Sequence, residues 1–295
     1  NSVDKSVQLL GIGSQHFHKI PVHDDCTINL DALVERIERD TRQGYTPFCV
    51  LGNAGTVNTG AIDALSDLAD IAENFGMWFH VDGAYGGLAA SLSAKRQYYD
   101  GLQAADSIAL DYHKWLYQPY EVGCTLVKDW DVLNRTYHTS AEYLDYGTGE
   151  ERFDVSRHHF DLSRNTKAFK VWMSFKAYGA TKLRDMIAKD IDCADYLAKE
   201  ISESSDFELC SHAQLGIVCF RYVGDQSFDE PRLDEINAIT LSRLETDGRL
   251  FITGTTLFSK QVIRACMINH RLQRADMDFM LHVIREIAAE VVGAK

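Results

Sequence analysis

Two short segments carry residue types able to do covalent chemistry on an amine. His80-Val81-Asp82-Gly83-Ala84-Tyr85-Gly86-Gly87 places a carboxylate ahead of small residues, and Asp111-Tyr112-His113-Lys114-Trp115-Leu116 places a primary amine among aromatic and aliphatic neighbours. Each follows an apolar run of the kind that forms a buried strand. Ligands of open α/β sheets bind beyond the carboxyl ends of their strands, so both segments are expected beside a ligand. Apolar surroundings favour the neutral amine, the form that a Schiff-base nucleophile requires. Taken singly, Asp82 could cap the following helix and Lys114 could snorkel at the sheet edge. Taken together they are the two groups that pyridoxal 5′-phosphate chemistry needs: a lysine to hold the aldehyde and a carboxylate to keep the ring nitrogen protonated.

These segments need a scaffold. Leu30, Leu33, Val34 and Ile37 recur at helical spacing, which predicts a helix over 29–43. A second helix, carrying Leu65, Leu68, Ala69 and Ala72, is expected to stop at Gly76. Buried strands are expected at 47–51, 77–81, 107–110 and 123–127. Continuous apolar strands separated by helices predict a mostly parallel sheet covered on both faces.

From about Asn165 the pattern changes to a long helix with a break at Gly179. Strands follow at 207–210 and 217–223, then a helix near 232–245, strands around Phe251 and over 262–267, and a closing helix. Met280, Val283, Ile284, Ile287 and Val291 share one face of that last helix. The division expected is residues 1–164 as part of a large α/β domain and 165–295 as a connecting helix with a smaller α+β domain. Residues 137–154 are polar and aperiodic, and a loop of that length in a compact domain is usually functional.

Composition narrows the classes. The 295 residues are 45% hydrophobic and 25% charged, with a formal net charge of −13, which argues against nucleic acid and against an anionic membrane surface. No apolar run approaches the roughly 18 residues that span a bilayer, and the polar start shows no signal peptide. The seven cysteines are scattered without a CxxC pair, and Cys49, Cys124 and Cys219 lie in apolar runs. That pattern suits a reducing, cytoplasmic setting.

The paired motifs, with Gly55–Asp63 (GTVNTGAID), Gly216–Gly224 (GIVCFRYVG) and the pattern around Arg264 and His270, resemble the group II pyridoxal-phosphate-dependent amino acid decarboxylases. The resemblance covers essentially the whole chain. It implies a fold type I scaffold, decarboxylation of an L-amino acid to its amine, and a homodimer in which a mobile lid from one protomer reaches its partner's site.

Carried over residue by residue, Lys114 resembles the cofactor-binding lysine and Asp82 the partner of the ring nitrogen. Ala84 resembles the small residue beneath the ring, and His113 the histidine beside phosphate and substrate. Tyr143 matches the lid tyrosine that reprotonates Cα, the lesser alternative being an aromatic anchor of the loop. The aldehyde-forming relatives carry phenylalanine there, so Tyr143 favours amine formation over aldehyde synthase or carbon–carbon lyase chemistry. Arg164 matches a family arginine and is expected to form a structural ion pair.

Three departures from the family pattern stand out. Val57 replaces a cofactor-contacting threonine, with Thr56 as a possible substitute. Asp111 replaces an asparagine, so near the phosphate only its backbone N–H would be favourable. The ring-stacking histidine would fall one residue before Asn1, so the chain is expected to be the C-terminal portion of a longer enzyme. Rival readings are a metal site from His80, Asp82 and His113, a dinucleotide loop at Gly11-Ile12-Gly13, and a non-catalytic homologue.

Overall fold

The computed structural model describes residues 2–138, 155–211, 214–224 and 227–293. Its first sheet has the order β1 (Cys49–Asn53), β2 (Trp78–Asp82), β3 (Ser107–Asp111), β4 (Gly123–Val127). The first three strands run parallel and β4 is antiparallel, with Asp111 opposite Gly123. Helix α1 (Ser2–Leu9) precedes them and carries no buried residue. Helix α2 (Leu30–Arg42) starts where the Asn29 side chain accepts a hydrogen bond from Ala32 N–H (2.9 Å), which satisfies one orphan donor of the first turn. Helix α3 (Leu65–Phe75) ends at Gly76 in the left-handed region (φ 64°), as the sequence predicts.

The strands are not buried on both faces as expected. Val50 and Gly52 in β1 and Phe79 and Val81 in β2 are buried, whereas their neighbours are only partly covered. Helix α3 supplies the covered face: a Cβ on Gly52 would lie 2.7 Å from the Leu68 side chain. Strand β1 also sits two residues later than expected, and Cys49 at its start is exposed, not a core residue.

Two short helices, α4 (Tyr112–Trp115) and α5 (Trp130–Tyr137), lead from the first sheet. Helix α6 (Lys167–Glu203) is interrupted at Gly179 (φ 76°, ψ 158°), a conformation open essentially to glycine alone. Its residues before the break are partly or fully exposed, and those from Leu183 onward bury one stripe.

The second sheet is antiparallel, in the order β5 (Phe207–Leu209), β6 (Ile217–Tyr222), β8 (Lys260–Cys266), β7 (Thr253–Leu257). Helices α7 (Glu230–Asp247) and α8 (Arg274–Gly293) accompany it, and α8 buries the expected face, Met280, Val283, Ile284, Ile287 and Val291. The strand expected around Phe251 begins only at Thr253, and Phe251 is 95% exposed.

Strand β6 joins two cores. Ile217 and Cys219 pack with Val81, Tyr85 and Trp115, while Val218 and Phe220 pack with Leu197 and Ile284. An alternating strand buried from both sides reads as a continuous apolar run, which is why this strand was legible. Among the described residues no helix is long and apolar enough to cross a membrane.

Candidate active site

Asp82 ends β2 and Asp111 ends β3, with Asp82 paired in register to Ala109. The two motifs therefore meet at the carboxyl end of adjacent parallel strands. The Asp82 main-chain oxygen accepts from Ala54 N–H (2.8 Å), which ties the end of β2 to that of β1. One Asp82 carboxylate oxygen accepts from Ala84 N–H at 3.0 Å. The other has no hydrogen-bond donor among the described residues. His80 sits on the same strand with Nδ1 2.7 Å from the Ser107 hydroxyl. Burial pushes its imidazole below the usual value, against the opposing pull of Asp82.

The glycines of the Asp82 segment allow close backbone approach. A Cβ on Gly86 would stand 2.4 Å from the Ala54 carbonyl oxygen, so only glycine lets this loop lie against the end of β1. The Tyr99 hydroxyl donates to the Gly86 carbonyl (2.5 Å) and fixes the contact. Asp63 holds the other side: its carboxylate accepts from the N–H groups of Ile28 (2.8 Å) and Asn53 (2.7 Å). The last residue of the GTVNTGAID segment is thus a structural clamp.

Lys114 departs from α4 into a setting unlike the apolar one expected. Its Nζ lies 2.8 Å from an Asp111 carboxylate oxygen, and its side chain is about one-third exposed. Its neighbour Trp115 is buried in the core and stacks on Tyr85 (4.9 Å between centroids, 13°). The Asp111 carboxylate is thereby paired with a lysine.

His113 Nε2 lies 3.8 Å from the same Asp111 carboxylate. Its Nδ1 is 3.1 Å from Val122 N–H and close to the carbonyl oxygen of the same residue, so the ring engages Val122 in either tautomer. The Val122 carbonyl, 3.0 Å from Nδ1, also accepts from the His113 backbone N–H. Tyr120 covers the His113 ring at 4.6 Å and is itself 82% exposed.

Thr56 and Arg164 have partners of their own. The Thr56 hydroxyl is 2.8 Å from that of Thr59, and Val57 is exposed. Arg164 makes the ion pair expected, with Asp161 at 3.9 Å, on the surface. Tyr143 lies outside the described residues. His80, Asp82 and His113 form no metal-ligand cluster, and none exists among the described residues. The loop at Gly11 and Gly13 follows helix α1 and not a strand, so a dinucleotide fingerprint is not built there.

The contacts of four residues escaped the sequence reading. Arg264 donates to the carbonyls of Val57 (2.6 Å) and Asn58 (3.1 Å), pinning the loop after β1 from the second sheet. Lys170 donates to the Pro119 carbonyl at 3.1 Å and beside it to those of Tyr120 and Glu121. The Tyr85 hydroxyl accepts from Gly216 N–H (2.9 Å), and Asp190 accepts from Trp115 Nε1–H (3.0 Å). All four act across long sequence separations, where spacing carries no signal.

The sequence profile of the pyridoxal-dependent decarboxylase conserved domain matches residues 1–223. The chain belongs to the pyridoxal-dependent decarboxylase family. An aromatic-L-amino-acid decarboxylase of Bacillus atrophaeus is 36% identical over 292 residues, covering 98% of this chain and 61% of the relative. A phenylacetaldehyde synthase of Petunia hybrida is 29% identical, covering 99% of this chain and 60% of the relative. The crystal structure of Oryza sativa TDC with PLP and tryptamine superposes with a TM-score of 0.91 at 27% identity, over 97% of this chain and 60% of that one. The fold is thus that of the fold type I pyridoxal enzymes, and the chain spans about 60% of the length of the relatives it matches.

Proposed function

We propose that this chain carries the cofactor site of an enzyme that decarboxylates an aromatic L-amino acid to its amine, with the domain boundary near residue 164. The observation that carries the reading is the placement of Asp82 and Lys114 at the ends of adjacent parallel strands in a chain of this family. Family membership makes pyridoxal phosphate the cofactor. The residues fit it: Asp82 ends its strand with one carboxylate oxygen that has no donor among the described residues, small residues follow, and Lys114 comes just after the end of the neighbouring strand. The name of the Bacillus atrophaeus relative supports an aromatic substrate.

When bound, pyridoxal phosphate supplies a ring that accepts the electron pair left at Cα as carbon dioxide departs. Lys114 would hold the cofactor and would be released from it when the substrate amine binds. The free Asp82 oxygen holds a proton at the ring nitrogen. Asp111 pairs with the Lys114 amine, and His113, fixed against Val122, orients the substrate. Thr56 and Ala84 would contact the cofactor, and Tyr143 would donate the proton to Cα.

We also read the protein as a cytoplasmic homodimer. The first half of α6 shows Phe169, Trp172 and Tyr178 more than half exposed, a surface suited to burial against a second copy. Light scattering after size exclusion measures that directly.

The deciding experiment is borohydride reduction of the cofactor-loaded protein followed by peptide mapping, with product analysis across aromatic amino acids. Label on Lys114 and amine release without aldehyde support the reading. Aldehyde as the product moves the chain to the synthase branch. No label at any lysine of the full-length enzyme rejects the assignment.

A further inference from the structure

Asp190 lies in the second half of α6 and is fully buried. One of its carboxylate oxygens accepts two hydrogen bonds, from Trp115 Nε1–H at 3.0 Å and from the Tyr117 hydroxyl at 2.7 Å. Both donors follow Lys114 within the same turn of chain. The other oxygen is buried without a partner among the described residues. Burial pushes the carboxyl above the ordinary carboxylate value, against the two hydrogen bonds that pull it down.

A core that needed only to be filled would be at least as stable with an aliphatic residue here. A carboxylate does something that residue would not. Two donors converging on one oxygen fix orientation as well as distance. Trp115 is held on its other side by the Tyr85 ring, and Tyr117 adopts a left-handed backbone (φ 55°) that non-glycine residues keep only when their surroundings enforce it. The Tyr117 ring meets His270 edge-on at 5.4 Å, and Lys189, next to Asp190, donates to the His270 carbonyl at 3.4 Å. The segment after Lys114 is therefore fastened to α6 and to the end of the second sheet together.

We infer that Asp190 is a positioning residue for Lys114: by holding Trp115 and Tyr117 it fixes the turn from which the lysine departs, so that α6 sets where the amine stands. The inference rests on the reading above only in taking Lys114 as the amine that anchors the cofactor.

The test compares Asp190→Asn, which keeps an acceptor for both donors, with Asp190→Leu and with Trp115→Phe combined with Tyr117→Phe, which break the pair from either end. Two readouts are taken on the full chain. One is the yield of borohydride-trapped pyridoxal phosphate on Lys114. The other is the rate of Lys114 acylation by acetic anhydride relative to Lys170, which needs no cofactor. The expectation is that Asp190→Asn stays near the parent in both. The other two variants are expected to lose about tenfold or more of the trapping, as a misplaced reacting group does, and to acylate Lys114 faster. Parent-like values for both readouts in either folded breaking variant overturn the inference. If Asp190→Leu does not fold, the double variant decides, since it leaves the carboxylate in place. A parent that traps no cofactor counts against the proposed function, and the acylation ratios still decide the role of Asp190.

Discussion

Lys114 and Asp111 face each other at 2.8 Å from the two ends of one turn, so the amine that would anchor the cofactor is tethered to the residue that precedes its helix. The pair is partly exposed, and pairs of that kind contribute about 1 kcal/mol or less. Asp111→Ala is therefore expected to change the unfolding free energy by less than about 1 kcal/mol. It is also expected to accelerate acylation of Lys114 at constant pH, with Lys170 as internal reference. Urea titration and peptide mass spectrometry check the two halves, and an unaltered Lys114 rate would show that the tether does not control the amine.

Asp82 separates chemistry from stability. Its carboxylate takes a single hydrogen bond from its own loop, at Ala84, so Asp82→Ala costs about 1 kcal/mol in folding. Loss of a preorganised charge where charge develops is expected to lower kcat by on the order of 10²–10³. Steady-state kinetics beside a thermal melt separates these effects. A large fall in melting temperature with kcat preserved would reverse the assignment.

Gly86 tests the close approach of the two strand-end loops. Its φ of −91° suits any residue, so Gly86→Ala is penalised by space alone. The added methyl would meet the Ala54 carbonyl oxygen at 2.4 Å and the Leu215 side chain at 2.5 Å. A loss of about 1–3 kcal/mol is expected from overpacking, read by denaturant unfolding. The effect on activity is expected to exceed that of an equally destabilising substitution in α8, because the displaced loop carries Asp82.

Acid stability of the second sheet should depend on Asp206. Burial raises its carboxyl, but Arg285 and the Ser204 hydroxyl outweigh that, and the net value is lowered. A carboxyl whose folded value lies below its unfolded value contributes stability that is fully present above the unfolded value. That contribution is lost as pH falls through the folded one. Arg285→Leu is expected to cost about 1 kcal/mol at neutral pH, discounted for the exposure of the guanidinium. The difference from the parent is expected to shrink toward zero as pH falls below the carboxylate range. A constant difference across that range would place the effect in the contact of Arg285 with the Phe207 ring instead.

Much of the molecule was legible in one dimension. Asp82 and Lys114 stood out because each follows an apolar strand, and in a parallel sheet a strand end is a defined place, so local pattern sufficed to put both at one edge. The stop at Gly76, the break at Gly179 and the buried face of α8 were equally readable, since backbone conformation at glycine and helical periodicity are local properties. What the chain order could not convey was the direction of side chains at the turn after β3. Trp115 and Lys114 are neighbours in sequence, yet one enters the core and the other meets Asp111, so flanking aromatics did not make an apolar pocket for the amine. Nor could spacing reveal that Asp190, Arg264 and Lys170 arrive from the far half of the chain to hold the site's loops. Those contacts exist only in the folded chain, because hydrogen bonds between distant segments form where tertiary packing brings donor and acceptor together.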